Sequence, residues 1–372
     1  MPVPSPTTRV EQRSKPLGRG FNACLLKPSD VPPSRPDLEV IGVFNPGAVQ
    51  TSDGVVLLVR VAEQAAEKRK DYTALPRWDV EQNSYVIDWI RNDEHTPIDV
   101  RVVRRHRDGL VRLTFISHLR VFYSKDGRTL EDSPGAWLEP NNANEEYGVE
   151  DPRITLIGDT YYITYVAVSR HGVATALAST RDFRGFSRHG IIFCPENKDV
   201  ILFPDKIDDS YYALHRPNGA TAFTKPEIWI ASSPNLLHWG RHERLLGGGE
   251  DWDLGRIGGG APPIKTEAGW LEFYHGNSKR EAEKNVGTYS GGLLLLDSKD
   301  PRKVIGRCGQ LFTPEADFER EGFVPNVVFP TGIVIQGDSA LVYYGAADTF
   351  VGVVEFSLSE MLARVSVRSA RS

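Results

Sequence analysis

The chain has 372 residues, of which 40% are hydrophobic and 25% charged, and its formal net charge at pH 7 is −5. This composition is typical of a globular protein with a large core, and the charge excludes strong attraction to nucleic acid or to an anionic membrane. The three cysteines, Cys24, Cys194 and Cys308, are odd in number and far apart, which excludes a disulfide framework and a CxxC metal site. Because no apolar signal segment or membrane-length window occurs, we expect a cytoplasmic protein.

The chain begins with a polar, proline-rich segment and continues with a degenerate repeat. Residues 1–37 predict an N-terminal arm, and residues 38–360 contain five units of similar layout. Each unit opens with a proline, continues through a turn and enters an aromatic-rich or β-branched strand. The five prolines are Pro46 in FNPGAV, Pro152 in EDPRIT, Pro204 in LFPDKI, Pro263 in APPIKT and Pro330 in VFPTGI.

The regular layout of these units predicts the fold. Each unit closes with another short strand that ends in a small polar turn, as in GGLLLLDSKD. Short strands that alternate with turns are typical of all-β proteins. Five units with about four strands each predict a five-bladed β-propeller. A β-sandwich or a pair of small barrels is the alternative.

Two segments depart from the repeat. The first unit is interrupted at about residues 63–112 by a polar, charged insertion. An insertion of this length indicates a functional loop or a subunit contact, which leaves a homo-oligomer open, and a surface excursion is the alternative. Residues 361–372 predict a C-terminal tail.

The repeat also predicts where polar side chains meet. In a propeller the innermost strand of every blade lines one central channel, so side chains beside the five prolines are expected to converge. Taken alone, an aspartate before a proline is an ordinary turn former and a lysine is ordinarily solvated. It is their shared position in the repeat that indicates a site. The converging residues are Asn45, Arg60, Glu63, Glu150, Asp151, Arg153, Lys198, Asp199, Asp205, Lys206, His215, Arg216, Lys265, Glu272, His275 and Asp348.

Five motifs in fixed order carry a family resemblance. They are FNPGAV…LLVR, GVEDPRIT, NKDVILFPDKI…HRP, GAPPIKT…GW…YHG and VVFPTGIV…YYGAAD, and they extend from Asn45 to Asp348. The chain resembles glycoside hydrolase family 130, the β-mannoside phosphorylases and related β-mannosidases. The resemblance implies an inverting enzyme that cleaves a terminal β-linked mannose from a manno-oligosaccharide with inorganic phosphate and releases α-mannose 1-phosphate. It implies phosphate as a co-substrate and no metal or organic cofactor.

The resemblance also implies roles for individual residues. Asp151 would give a proton to the glycosidic oxygen, through a sugar hydroxyl. The mannose would be held by Asn45, Arg60, Glu150 and Asp348. The phosphate would be bound by Lys198, Arg216, Lys265 and His275. The alternative for these four residues is a set of salt bridges between blades, with acids such as Asp199 and Asp205.

A general acid must hold its proton near neutral pH, so the pKa of Asp151 should be raised. The neighbouring carboxylate of Glu150 would raise it by repulsion, whereas Arg153 would lower it. The sequence therefore leaves the direction of this pKa shift open.

Two other functions stay open at this stage. A hydrolase of the same family would use water, activated by a carboxylate base, and Glu227 or Glu272 would serve. A mannoside-binding propeller without catalysis is the second alternative, although such a protein would not need the acid of VEDPR. The sequence does not choose between β-1,2 and β-1,4 linkages, and it does not identify the leaving sugar.

Overall fold

The computed structural model describes residues 15–131, 135–218, 223–249, 251–280 and 286–366. The predicted all-β class is confirmed, because almost every regular element in these ranges is a strand. The first thirteen strands are β1 (Asn22–Leu26), β2 (Leu38–Thr51), β3 (Gly54–Ala65), β4 (Tyr72–Asp79), β5 (Ser84–Arg91), β6 (His95–Pro97), β7 (Val102–Arg105), β8 (Val111–Leu113), β9 (Ile116–Ser124), β10 (Trp137–Leu138), β11 (Gly148–Ile157), β12 (Thr160–Ser169) and β13 (Gly172–Thr180).

The second half of the chain continues in the same way. Its strands are β14 (Ser187–Phe193), β15 (Asn197–Leu202), β16 (Tyr211–Pro217), β17 (Ile228–Ser233), β18 (Gly240–Leu246), β19 (Arg256–Gly259), β20 (Ile264–Thr266), β21 (Gly269–Asn277), β22 (Tyr289–Leu296), β23 (Val304–Phe312), β24 (Val328–Gln336), β25 (Ser339–Ala346) and β26 (Phe350–Ser357). The helices are α1 (Asp317–Arg320) and α2 (Leu358–Ser366), with 3-10 turns at Pro28–Asp30, Asn92–Glu94 and Ala143–Glu145. Among the described residues, no helix is long and apolar enough to span a bilayer.

The strands form antiparallel meanders that follow the chain. One sheet has the order β15-β16-β17-β18, and the next has the order β19-β21-β22-β23 with β20 paired to β21. The eight-stranded sheet has the order β14-β13-β12-β11-β9-β3-β2, with β10 on β9. Its two halves meet at one parallel pair, Gly148 with Ser117. In the last sheet, β1 from the N-terminus pairs with β26 from the C-terminal end, which ties the two ends of the chain together.

Buried apolar clusters hold neighbouring sheets together. For example, Leu58 and Leu119 from one half of the large sheet pack against Val149 and Ile163 from the other half. Similar clusters join β13 to β15 and β16, join β15 and β16 to β19 and β21, and join β21 and β22 to β24 and β25. Strands with both faces covered by apolar neighbours explain the near-continuous runs of Val, Leu, Ile and Tyr in the sequence.

The segments that depart from the repeat have regular structure. The predicted insertion at about 63–112 contains the β4–β5 hairpin and the three-stranded sheet β6-β7-β8. The predicted arm, 1–37, contains β1, and its residues 1–14 lie outside the described residues. Of the predicted tail, 361–372, residues up to Ser366 complete α2, and residues 367–372 lie outside the described residues.

We expect Arg19→Met to lower the free energy of unfolding by about 3–5 kcal/mol, because it leaves the fully buried carboxylate of Glu319 without its cation. Arg19 Nη1 lies 2.8 Å from Glu319 Oε1, and Tyr344 donates to the same oxygen. Urea unfolding would measure the loss. The control is Lys68→Met, which breaks an exposed ion pair with Glu39 and should cost less than about 1 kcal/mol. Equal effects of the two variants would contradict this prediction.

Candidate active site

Three polar residues occupy the same strained position in three different strands. The pairing register shifts between Phe44 and Gly47 in β2, between Glu150 and Arg153 in β11, and between Lys198 and Ile201 in β15. Within these bulges Asn45, Asp151 and Asp199 adopt φ angles of 49°, 48° and 56°. Asn and Asp tolerate this left-handed conformation better than other residues with side chains. A bulge bends the strand and re-aims its side chains, so each strand turns a polar group out of the regular alternation.

The largest group of predicted site residues lines one cavity of about 170 Å³. Six of the nine residues predicted to catalyse or to bind substrate face it, and they come from four strands and one loop. They are Asn45, Arg60, Glu150, Asp151, Lys198 and Asp348. Apolar and aromatic side chains, among them Phe44, Phe115, Tyr289 and Phe329, complete the wall. A concave site with a few convergent polar groups and aromatic walls is typical of a small-molecule site.

Arg60 holds two acids at once. Its Nη1 donates to Asp151 Oδ1 at 2.9 Å, and its Nη2 lies 2.6 Å from Glu150 Oε1. Its Nε donates to Ser117 Oγ at 3.0 Å, and the guanidinium stacks 4.5 Å from the Phe44 ring centroid. These partners fix the plane of the guanidinium, and with it the positions of both carboxylates.

The pKa values of the two acids are shifted in opposite directions. Burial raises the pKa of Asp151, but the charges of Arg60 and Lys198 and a hydrogen bond from Asn45 Nδ2 (2.8 Å) outweigh burial and hold the pKa below its ordinary value. For Glu150, burial outweighs the opposing charge of Arg60, so its pKa is raised. The direction that the sequence left open is therefore downward for the pKa of Asp151.

The insertion supplies a cavity residue that the sequence did not reveal. Arg101, in the turn before β7, lines the cavity and places Nη1 3.9 Å from Asp348 Oδ2. It is held by Asp99, which accepts from Nη2 at 2.9 Å. Burial raises the pKa of Asp348, and the charges of Arg101 and Arg60 oppose that rise. The only sequence signal was the dense charge of the insertion.

A second polar cluster surrounds Asp199. Arg216 Nη1 lies 2.5 Å from Asp199 Oδ2, and Arg153 Nη2 lies 3.6 Å from Oδ1. His275 Nε2 is 3.4 Å from Asp199 Oδ2 and 3.1 Å from Arg216 Nη1. Burial lowers the pKa of His275 to about 4, although the hydrogen bond to Asp199 and the charge of Asp199 act to raise it. The imidazole is therefore neutral at pH 7. The predicted phosphate residues Arg216 and His275 are thus together, but they are tied to a carboxylate.

The structure separates the other two predicted phosphate residues. Lys198 lines the cavity, and among the described residues no hydrogen bond or ion pair fixes its ammonium group. Lys265 lies outside the cavity, with 63% of its side chain exposed, and its Nζ is 2.7 Å from Asp205 Oδ2. It belongs to the short strand β20, and its Nζ lies 5.5 Å from the centroid of the Trp270 ring. The alternative of a salt bridge with Asp205 describes Lys265 correctly.

Neither candidate base for a hydrolase lines the cavity. Glu227 accepts two hydrogen bonds from Arg244, at 2.5 and 2.9 Å. Glu272 is buried, and its Oε1 accepts from Gly260 N at 3.0 Å. Burial raises the pKa of Glu272 to about 8, so this acid is neutral at pH 7. A base that activates water must be ionised and within reach of it, and neither acid meets both conditions here.

Several known proteins of one family are similar to this chain. Residues 98–366 match the family model of glycoside hydrolase family 130, which is described as beta-1,4-mannooligosaccharide phosphorylase. The chain is 41% identical over 354 residues to beta-1,2-mannobiose phosphorylase of Listeria innocua, covering 93% of this chain and 97% of the relative. It is 36% identical to 1,2-beta-oligomannan phosphorylase of a Thermoanaerobacter species, covering 66% of this chain and 81% of the relative. The solved structure of the Listeria innocua enzyme with beta-1,2-mannobiose superposes with a TM-score of 0.85, at 40% identity, over 92% of this chain and 97% of that chain.

Proposed function

Because the chain belongs to glycoside hydrolase family 130 and is a β-mannoside phosphorylase, we propose that it cleaves β-1,2-linked manno-oligosaccharides by inverting phosphorolysis. The terminal mannose would leave as α-mannose 1-phosphate, and the shortened sugar would take the proton. The observation that carries the proposal is that Asp151, a carboxyl, and Lys198, an ammonium without a partner among the described residues, line one cavity. The two relatives described above support the β-1,2 linkage.

The acid side of the proposed site is built around Asp151. Asn45, Arg60 and Asp348 would hold the mannose, since all three reach the cavity beside Asp151. Glu150 would take part through Arg60, which binds both carboxylates. Asp151 would protonate the glycosidic oxygen through a sugar hydroxyl, which lets the carboxyl lie further from the bond than direct transfer requires.

The phosphate side is built around Lys198. Phosphate would bind its ammonium group, and the guanidinium groups of Arg153 and Arg216 would add positive potential from behind. His275 would contribute as a neutral imidazole. Lys265 is left out of this site, because its ammonium is paired with Asp205 outside the cavity.

This arrangement couples phosphate binding to the charge of the acid. Lys198 is one of the cations that hold the pKa of Asp151 below its ordinary value. A phosphate dianion bound to Lys198 would cancel that influence, and its own charge would repel the Asp151 carboxylate. Asp151 would then take up the proton that it must deliver. Bound phosphate would therefore act as the nucleophile and would also favour the protonated form of Asp151.

We also propose the five-bladed propeller as the architecture. Besides the clusters described above, a further cluster packs β2 and β3 against β25 and β26, so that a ring of five contacts between sheets would close on itself. The large sheet would supply two blades, joined at Gly148, and β1 would complete the last blade. Contacts of β2 with both β11 and β24 support a common axis.

A cytoplasmic location is part of the proposal. Cys24 and Cys194 are free and exposed, which fits a reducing compartment. The proposed product, a charged sugar phosphate, would also be retained where it forms.

We expect β-1,2-mannobiose and inorganic phosphate to give mannose and α-mannose 1-phosphate in equal amounts. Phosphorus NMR would detect the sugar phosphate and the configuration of its anomeric carbon. β-1,4-mannobiose, supplied separately, should react more slowly. Free mannose formed at the same rate without phosphate would overturn the phosphorylase, and faster cleavage of the β-1,4 substrate would overturn only the linkage.

We expect Asp151→Asn to lower kcat/KM by about 10²–10⁴, because an amide has no acidic proton to deliver. Sugar binding, measured by calorimetry, should persist, since the amide oxygen can still accept from Arg60 and Asn45. The matched control is Asp159→Asn, at an exposed turn, which should leave turnover unchanged. Full turnover of Asp151→Asn would show that another group is the acid.

We expect Lys198→Met to raise the KM for phosphate by about tenfold or more, because it removes one charge-assisted contact. Lys265→Met is the matched control: the same truncation of a lysine that is paired with Asp205 outside the cavity. Initial rates at varied phosphate concentration would separate the two. If Lys265→Met raised this KM and Lys198→Met did not, Lys265 rather than Lys198 would be the phosphate-binding lysine.

A further inference from the structure

A chain of hydrogen bonds links a buried acid to the backbone of the proposed proton donor. Glu272 Oε1 accepts from Gly260 N at 3.0 Å. On the other side of the same residue, Gly260 O accepts from Arg153 Nε at 3.0 Å. Arg153 Nη1 in turn donates to Asp151 O at 2.7 Å. Glu272 in β21 is therefore connected through Gly260 and Arg153 to the left-handed bulge that presents Asp151.

The segment at Gly260 has little freedom to move. A Cβ at this position would lie 2.0 Å from Phe273 O and 3.0 Å from Pro330 O, so only glycine fits between these two carbonyls. Glu272 and Arg153 are each 1% exposed. Both backbone hydrogen-bonding groups of Gly260 are thus engaged: its N–H donates to Glu272, and its carbonyl accepts from Arg153.

Glu272 has no counter-ion of its own. Among the described residues it forms no ion pair, and its Oε2 has no hydrogen-bond partner. Arg153, whose charge acts on Glu272, directs its donors to Gly260 O, to Asp151 O and toward Asp199. An ionised Glu272 would be a buried charge with one bare oxygen, which is costly. Burial raises its pKa to about 8, only partly offset by Arg153.

Arg153 connects Glu272 to charged and titratable groups from several elements. Arg153 lies on β11, Asp199 on β15 and Arg216 on β16, while His275 and Tyr274 share β21 with Glu272. His275 is neutral at pH 7, and burial raises the pKa of Tyr274, so this phenol is neutral as well. With Glu272 neutral, the three cations of Arg153, Arg216 and Lys198 outnumber the two carboxylates on which their charges act, Asp199 and Asp151. Ionisation of Glu272 would weaken this positive excess.

We propose that Glu272 is a positioning residue that acts in its neutral form: it fixes the Gly260 segment, and so Arg153 and the Asp151 backbone, without cancelling the positive charge available to phosphate. The proposal rests on the phosphorylase function proposed above. It assigns to Glu272 a role opposite to that of a hydrolytic base, which would have to be ionised.

The kinetic test compares Glu272→Gln with Glu272→Leu. Leucine cannot accept from Gly260 N, and we expect it to lower kcat by about tenfold; glutamine keeps the acceptor and should restore most of that loss. In the wild type, the KM for phosphate should rise by at least about threefold between about pH 7 and about pH 9, as Glu272 ionises. Glu272→Gln should not show this extra rise. Identical pH profiles for wild type and Glu272→Gln would overturn the proposal.

A matched control separates this effect from a general effect of buried acids. Glu319 is also fully buried, but it is paired with Arg19 and Tyr344 in another part of the fold. Glu319→Gln should reduce stability, while its KM for phosphate should follow the wild-type pH profile. If Glu319→Gln removed the alkaline rise as well, the rise would not report on Glu272.

A stability measurement tests the neutral form without any substrate. If folding raises the pKa of an acid, the folded protein loses stability as the pH rises above the pKa of the acid in the unfolded state. The loss stops growing once the pH exceeds the pKa of the acid in the folded state. The Tm of Glu272→Gln relative to wild type should therefore increase from about pH 5 to about pH 8. A constant difference in Tm would show that Glu272 is ionised in the folded protein. If the wild type formed no mannose 1-phosphate, the proposed function would be rejected. The Tm comparison would still decide whether Glu272 is protonated in the folded protein.

Discussion

The site depends on a local backbone constraint, the left-handed residue inside a β-bulge. A regular strand sends its side chains alternately to two faces, and in these sheets both faces are covered by apolar neighbours. A polar group in such a strand would be buried without partners. The bulges at Asn45, Asp151 and Asp199 interrupt the alternation and turn a short polar side chain toward its polar neighbours. The strain of each bulge, of order 1–3 kcal/mol, is offset by the packing of the long strands on either side.

Once these side chains converge, their charges must be balanced within the protein. Arg60 neutralises the pair Glu150 and Asp151, and Asp199 gathers Arg153 and Arg216. Both groups are buried, so each ion has given up its hydration and relies on its neighbours instead. Two compact networks form, one acidic and bound by an arginine, the other basic and bound by an aspartate. Lys198 stands at the cavity beside them, and its charge influences the acids of both.

The sequence predicted the all-β class and the convergence of Asn45 and Asp151, because each stands directly before the proline that opens its unit. It also placed Asp348 with them, although this residue lies in the loop between β25 and β26 of the fifth unit. The sequence did not reveal that Lys265 lies outside the cavity, because the fourth unit is built differently. There the first strand is divided into β19 and β20, with Gly260 between them, so counting from Pro263 leads to the exposed strand β20. Arg101 and Ser117 escaped notice for another reason. They come from the insertion and from a neighbouring strand, and such contacts leave no periodic signal in one sequence.

The choice between phosphate and water as nucleophile then becomes a matter of charge rather than of fold. A hydrolase needs an ionised carboxylate that reaches water in the cavity, whereas a phosphorylase needs a positive excess that attracts a dianion. Here Glu272 does not line the cavity and is kept neutral by burial. The same residue, moved to the cavity and ionised, would repel phosphate and could activate water. The depth at which a glutamate is buried, which no single sequence reveals, therefore decides which of the two reactions it supports.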